Sequence, residues 1–225
     1  MKTTRARAVV LRRTNYGEAD RVVQFLTPNG RVSAMARGVR REKSKLAGGI
    51  ELFAVCDIVV GQGKGTLVVL TSARLVHFYR HILEDYDRMQ FAYETLAQVA
   101  RASESLDEPE WYDIVTEVLM ALDAKTVPLP LIQTWFYVRM SAMLGDQLNT
   151  DRDADGDKLS SDKTYRYDSG DKSFISAING DITPGHIKIL RLVAAKPLSV
   201  LVQVGGLGPY LPDCLYVARE HAALL

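Results

Sequence analysis

The first 80 residues alternate between hydrophobic and polar positions in short segments, with turn-forming residues between them. A period of two is typical of strands that bury one face. The pattern predicts five strands over residues 6–13, 19–27, 31–37, 51–60 and 66–71. Five short strands are too few for a sandwich and favour a small barrel of the OB or SH3-like kind, because closure leaves few sheet edges exposed. Val22 and Phe25 are predicted to point into this barrel.

From about residue 84 the apolar side chains recur in steps of three and four, which indicates one face of a helix. The side chains on this face, predicted to be buried, are Tyr86, Met89, Tyr93, Leu96 and Ala100. The same spacing runs back through Leu75, Tyr79 and Ile82. The connector after the last strand is therefore also predicted to be helical.

Four further segments complete the predicted fold. A second helix begins near Asp107 and a third follows the break at residues 128–130 and ends at Gly145. Residues 146–181 are polar and irregular, with one hairpin at 164–178. Thr183 and Pro184 begin a fourth helix, and a terminal helix begins near Pro212. We therefore predict an α+β protein, with a five-stranded barrel domain at 1–80 and a mainly helical domain at 81–225.

Composition and cysteine usage narrow the class of protein. The hydrophobic fraction of 47% and the charged fraction of 24% are those of a globular protein. No apolar run reaches the ~20 residues that span a bilayer, and the basic N-terminus lacks the features of a signal peptide. Cys56 and Cys214 are too few for a disulfide framework or a four-cysteine zinc site. We expect a cytoplasmic protein without a membrane partner.

The small net charge of +1 conceals an asymmetry between the two parts of the chain. Residues 1–50 hold 12 Lys and Arg against 3 Asp and Glu, whereas residues 51–225 hold 16 against 24. This split predicts an N-terminal part that meets a polyanion, for which nucleic acid is the commonest candidate. A solvated basic surface without a partner remains the alternative.

The densest positive charge lies between Arg37 and Lys45, and further arginines lie on the flanking strands. The candidate DNA-binding residues are Arg12, Arg13, Arg21, Arg31, Arg37, Arg40, Arg41, Lys43 and Lys45. Such cations can follow a phosphate backbone. Nearby aromatic side chains are limited to Tyr16 and to Phe25 or Phe53, which predicts modest base stacking. Binding should therefore depend strongly on salt and little on sequence.

Motifs of covalent chemistry are absent from the sequence. His77 and His81 lie four residues apart, but no Glu follows His77 as a metalloprotease helix requires. Neither a hydrolase nucleophile motif nor a protease cysteine signature is found. We therefore expect a protein that is not an enzyme and needs no cofactor.

One acidic segment resembles the start of a calcium loop. Its carboxylates at alternate positions precede and follow Gly156, as they do in an EF-hand. The candidate ligands are Asp151, Asp153, Asp155, Asp157 and Asp162. Asp at the last position is shorter than the usual Glu, and no exiting helix is predicted. A solvated acidic loop is the alternative.

Several stretches of the sequence resemble the RecO family of bacterial recombination mediators. The resemblance is carried by YGE (16–18), DR (20–21), the glycine at 30, ARGVRREKS (36–44), Leu46, the region of Phe53, LVVLTSARL (67–75), AYETL (92–96) and TYRYD (164–168). It implies an N-terminal OB fold, binding to single- and double-stranded DNA, and annealing of complementary strands. The implied partners are RecR, the C-terminal tail of single-strand-binding protein (SSB) and, indirectly, RecA. The expected location is the nucleoid.

The sequence departs from this family in one respect. Many members carry a four-cysteine zinc ribbon in the C-terminal part, whereas this chain has an Asp-rich loop and a hairpin there, so no zinc is expected. The predicted function is a DNA-binding and strand-annealing mediator in DNA repair. An OB-type RNA-binding module and an interaction scaffold whose basic loop docks an acidic protein remain alternatives.

Overall fold

The computed structural model describes residues 3–63 and 67–223. The chain forms two compact units, Met1–Lys125 and Thr126–Leu225. The predicted domain boundary after residue 80 lies close to the end of the barrel, and the two helices that follow belong to the same unit as the barrel.

The first unit begins with five strands: β1 (Thr3–Tyr16), β2 (Asp20–Thr27), β3 (Gly30–Ala36), β4 (Ala54–Gly61) and β5 (Val68–Phe78). They form a closed barrel in the order β1-β2-β3-β5-β4. The pairing is antiparallel except between β3 and β5, where Ala34 pairs with Val68. Long β1 pairs with both β2 and β4 and so closes the barrel. The predicted five-stranded OB fold is confirmed.

The last strand of the barrel is longer than predicted. The predicted strand begins at Thr66, which lies outside the described residues, and the observed strand continues to Phe78. Leu75 therefore lies on a strand, and a short 3₁₀ helix, Arg80–Glu84, follows. The prediction of a helical connector from Leu75 was wrong because β4 offers hydrogen-bonding partners as far as Ala54, which pairs with Phe78. Hydrogen bonding between strands thus outweighs the helix-like spacing of apolar residues in this segment.

The barrel core is filled by small and branched side chains around one aromatic ring. Its buried members are Ala8, Val10, Val23, Phe25, Ala34, Ala36, Val39, Ile50, Cys56, Ile58, Val60 and Leu70. Phe25 points inward as predicted, but Val22 does not, because residues three apart on a strand face opposite sides. Val23 takes the inward position, and Val22 is only half-buried.

Two helices complete the first unit: α1 (Tyr86–Ser105) and α2 (Glu110–Asp123). The buried face of α2 includes Trp111, Val115, Leu119 and Leu122, which recur in steps of three and four as a helix requires. On α1, Leu96 and Ala100 are buried as predicted. Tyr86 and Tyr93 are exposed, because the buried face of α1 runs through Phe91 and its neighbours. A tyrosine tolerates this exposure because its hydroxyl can form hydrogen bonds with water.

In its described residues the second unit contains four α-helices, a short 3₁₀ helix (Gly208–Tyr210) and a hairpin. The α-helices and strands are α3 (Leu129–Met143), β6 (Tyr165–Asp168), β7 (Ser173–Ser176), α4 (Pro184–Ala195), α5 (Leu198–Leu201) and α6 (Leu211–Ala222). The predicted hairpin is present, with Tyr165 paired to Ser176. Thr183 caps α4 as predicted, and His186 completes a capping box. The short α5 was not predicted. Within the described ranges, none of the helices has the length and apolarity to cross a membrane.

We expect both cysteines to be unreactive toward a thiol reagent in the native protein at pH 8. Burial, with a smaller contribution from Asp57, raises the pKa of Cys56 to about 12. Burial, with a smaller contribution from Asp213, raises the pKa of Cys214 to about 12. The nucleophile is the thiolate, which is scarce when the pKa lies far above the pH. Labelling followed by absorbance should detect both thiols only after denaturation, and one rapidly labelled thiol in native protein would contradict this burial.

Candidate nucleic-acid interface

Residues 37–45, here called the basic loop, follow β3 and are anchored to the barrel at their start. The Val39 side chain is buried in the barrel core. Gly38 has a positive φ of 62°, a conformation that favours glycine, and its N–H donates to Asp20 Oδ1 at 2.6 Å. The Arg40 N–H donates to the Ala19 carbonyl at 2.9 Å. The loop therefore starts from a fixed backbone.

The chain beyond the basic loop is also held against the barrel. A short 3₁₀ helix, Ala47–Gly49, follows the loop. Gly49 lies so close to β5 that a Cβ there would be 2.3 Å from the Ala73 carbonyl oxygen, so only glycine fits. Ile50, which comes next, is buried in the barrel core. Both ends of the basic loop are thus fixed, and the side chains between them project from a fixed base.

The cations of the basic loop are exposed. Throughout residues 3–63 and 67–223, no ion pair or hydrogen bond engages the side chains of Arg37, Arg41, Lys43 and Lys45. The Arg40 guanidinium donates to the Gly17 carbonyl, at 3.3 Å. Glu42 is the single acid in the loop. This is the part of the predicted site that presents uncompensated positive charge to solvent.

The four predicted arginines on the strands are not equivalent. Arg13 forms an ion pair with Glu51 at 2.9 Å, and Arg31 forms one with Glu104 at 3.4 Å. Both arginine side chains are largely buried, and each is already paired with a carboxylate. Their charges are therefore not free to bind phosphate. Arg21 donates to Asn15 Oδ1 at 3.1 Å. Arg12 is exposed, and its side chain has no polar partner among the residues that the structure describes.

A β-bulge explains why neighbouring Arg12 and Arg13 differ. The register between β1 and β2 shifts between Val10 and Arg12, so Leu11 is an extra residue on β1. After the shift Arg13 pairs with Val23, a core residue, and therefore lies on the inner side at the end of the barrel. Arg12 lies on the outer side. The sequence alone did not indicate this bulge.

The predicted aromatic platforms are mostly unavailable. Phe25 and Phe53 are fully buried, which leaves Tyr16, with 60% of its surface exposed. Exposed arginines outside the predicted set also lie in the first unit, among them Arg74 and Arg80. Arg74 is 3.8 Å from Asp57, which also accepts from Arg7 at 3.0 Å and so raises the pKa of the Arg7 guanidinium. Arg80 follows the strand end.

The predicted calcium ligands do not converge. Asp153 is buried, and its carboxylate accepts the Asp157 N–H at 2.9 Å. The Asp162 carboxylate accepts a hydrogen bond from the Ser160 hydroxyl. Among the described residues, no group of three or more His, Cys, Asp or Glu side chains is arranged to hold a metal ion. The structure therefore does not bring the five aspartates together as a site.

The two buried histidines have structural partners in the second unit. His186 Nδ1 accepts the Thr183 N–H at 3.0 Å in the cap of α4. His221 Nε2 lies 2.8 Å from the Asp146 carbonyl, so this nitrogen carries the proton and Nδ1 accepts from the Tyr167 hydroxyl at 2.7 Å. Burial raises the pKa of Tyr167, which keeps this donor protonated. These contacts stabilise the unit and form no recognisable catalytic arrangement.

Comparison with known proteins agrees with the barrel and its basic loop. The family model described as "Recombination protein O N terminal" matches residues 1–79. A protein of Roseiflexus sp. named DNA repair protein RecO is 37% identical over 121 residues, which are 53% of this chain but only 42% of that relative.

Two further relatives with the same name match over most of their length. The protein from Rubrobacter xylanophilus is 26% identical over 230 residues, which cover 98% of this chain and 91% of the relative. The protein from Anaeromyxobacter dehalogenans is 30% identical over 213 residues, which cover 92% and 82%. The matches include both compact units. The chain therefore belongs to the RecO family of DNA repair and recombination proteins.

Proposed function

We propose that this protein is a non-enzymatic mediator of recombinational repair that binds DNA and anneals complementary strands. The observation that carries the proposal is the basic loop, in which exposed cations without partners among the described residues project from an OB barrel. OB folds commonly bind oligonucleotides. Membership of a DNA repair family makes DNA the favoured polyanion.

Annealing follows from phosphate neutralisation in this proposal. Each cation that contacts a phosphate releases condensed counterions, which favours binding without reading the base sequence. When cations of one protein screen two strands at once, the repulsion between the strands falls and base pairing proceeds. The reaction breaks no covalent bond. In support, both thiols are buried and both buried histidines are engaged in structural hydrogen bonds.

Partner proteins are part of the same proposal. The protein acts at the nucleoid in the cytoplasm, together with RecR, to help RecA replace SSB on single-stranded DNA. It contacts the C-terminal tail of SSB during this exchange. Family membership supports this role, and the accessible basic loop supports a direct contact with the single strand.

We expect the purified protein to accelerate annealing of complementary oligonucleotides, measured by fluorescence quenching between end labels. The acceleration should fall as salt rises, because phosphate contacts release counterions. An excess of RNA of the same sequence should not compete better than DNA. Strong preference for RNA would favour the RNA-binding alternative. Absence of binding at about 0.1 M salt, where surface charge is already partly screened, would favour the scaffold alternative.

A further inference from the structure

A cleft of about 480 Å³ opens in the first unit between β1 and α1. Its wall includes Leu11 and Arg12 from β1, Leu52 from the segment that follows the basic loop, and one face of α1 around Leu96. The apolar wall residues give the cleft a hydrophobic floor. Its volume lies in the range of sites that take small organic ligands.

Tyr93 provides an aromatic ring in this cleft. Half of its surface is exposed (48%), and its ring centroid lies 4.7 Å from that of Phe53 in an edge-to-face arrangement at 68°. Phe53 is fully buried, and its backbone has a left-handed φ of 57°. Because its side chain is packed on the interior of the unit, the ring against which Tyr93 rests is fixed. The tyrosine ring is thus held in place on one side and accessible on the other, as a stacking platform requires.

The charge at the rim of the cleft is positive once the ion pairs are considered. Four charged side chains line it: Arg12, Arg13, Arg101 and Glu104. Glu104 is paired with Arg31, and Arg13 is paired with Glu51. Arg12 and Arg101 are exposed, and within the described part of the chain their guanidinium groups have no partner. Two uncompensated positive charges therefore flank the aromatic ring.

We infer that this cleft takes one unstacked base of single-stranded nucleic acid, stacked on Tyr93 with the neighbouring phosphates at Arg12 and Arg101. The inference rests on the proposed DNA-binding function and adds to it a preference for single strands. A base within a duplex cannot enter such a cleft, because it is stacked on both faces. Stacking on an aromatic ring is tolerant of sequence, since every base presents a π-face.

The position of the cleft favours nucleic acid over an acidic peptide. Leu52, on its wall, follows Lys45 of the basic loop by seven residues, so their Cα atoms are at most about 25 Å apart. OB folds engage roughly 4–16 nucleotides of a single strand. One strand could thus contact the basic loop through phosphates and the cleft through a base, both within the first unit.

The test measures binding of the full chain to a labelled oligothymidine, to a duplex of the same length, and to an oligonucleotide with abasic positions. Tyr93→Leu should weaken binding to the single strand about tenfold and leave duplex binding unchanged. Tyr93→Phe keeps the ring and should bind like the wild type. Tyr86→Leu is the matched control, because Tyr86 is exposed on the same helix but does not line the cleft. The wild type should bind the abasic strand about as weakly as Tyr93→Leu binds the intact strand.

Several results would overturn the inference and leave the proposed function intact. One is a Tyr93→Leu variant that binds single strands like the wild type, or that loses single-strand and duplex binding equally. Another is wild-type protein that binds abasic and intact strands equally, a comparison that needs no variant to fold. Loss of binding to an acidic, Phe-containing peptide in Tyr93→Leu, with DNA binding unchanged, would assign the cleft to a protein partner. A wild type that binds no DNA would overturn the proposed function as well.

Discussion

Replacing Arg41, Lys43 and Lys45 together by Ala should flatten the log–log salt dependence of single-strand binding by about 2 units. Each phosphate contact contributes about −0.7 to that slope for single strands, and three contacts are removed. These three side chains are exposed and make no polar contact in the described ranges, so their removal costs the folded state little. Arg40 is left in place because it donates to the Gly17 carbonyl.

The effect on affinity should itself depend on salt. With a slope change of about 2, the loss is about 100-fold at roughly 0.1 M salt and only about fourfold at roughly 0.5 M. Annealing should fall with binding, because the same cations screen both strands. Titrations by fluorescence anisotropy at several salt concentrations give both the slope and the affinity. Losses should be similar for all sequences, since phosphate contacts carry no base information.

A second triple variant separates local contacts from net charge. Lys158, Lys163 and Lys188 are exposed lysines of the second unit without side-chain partners in the described chain, and replacing them by Ala removes the same charge. We expect this control to keep the wild-type salt slope. Equal slopes in the basic-loop variant and the wild type, with both folded, would move the DNA site away from the loop. Equal losses in both triple variants would indicate a long-range effect of net charge.

The local sequence predicted those elements whose signals are local. The hairpin and the cap of α4 depend on turn and capping residues that lie within a few positions of each other, and both are present. The OB barrel was also predicted, although the parallel pair of β3 and β5 joins residues that are far apart in the sequence. The period of two and the spacing of turn residues are sufficient for the strand count.

The details of the candidate site depend on contacts that a one-dimensional pattern does not contain. A single bulge at Leu11 decides that Arg13 turns toward the core and Arg12 toward solvent. Arg31 was predicted to bind phosphate, but Glu104, which is 73 residues further along the chain, neutralises it. Phe53 was a candidate platform and is buried, whereas Tyr93 was assigned to the buried face of α1 and is half exposed. Burial depends on which elements pack together.

Arg88 shows the same limit most clearly, because a charged residue within a helix is usually at the surface. Only 7% of this residue is exposed. Its guanidinium donates to the Leu122 carbonyl at 3.0 Å and to the Lys125 carbonyl at 3.1 Å, at the end of α2. Lys125 has a left-handed φ of 56°, which ends the helix. Arg88 thus supplies donors for carbonyls that lack partners within their own helix, and it links α1 to α2.

Arg88→Met should lower the free energy of unfolding by about 3 kcal/mol, because two poorly solvated carbonyls lose a charged donor. In a chain of this length such a loss lowers the melting temperature by roughly 10 °C, as calorimetry would record. The melting temperature of Arg88→Lys should lie between those of the wild type and of Arg88→Met. A lysine ammonium keeps the positive charge but cannot donate in the planar, two-pronged geometry of a guanidinium. Arg101→Met is the matched control on the same helix, because Arg101 is exposed. The free energy of unfolding of this control variant should stay within ~0.5 kcal/mol of the wild-type value. If Arg88→Met melts no lower than this control, the contacts of Arg88 with the end of α2 contribute no net stability.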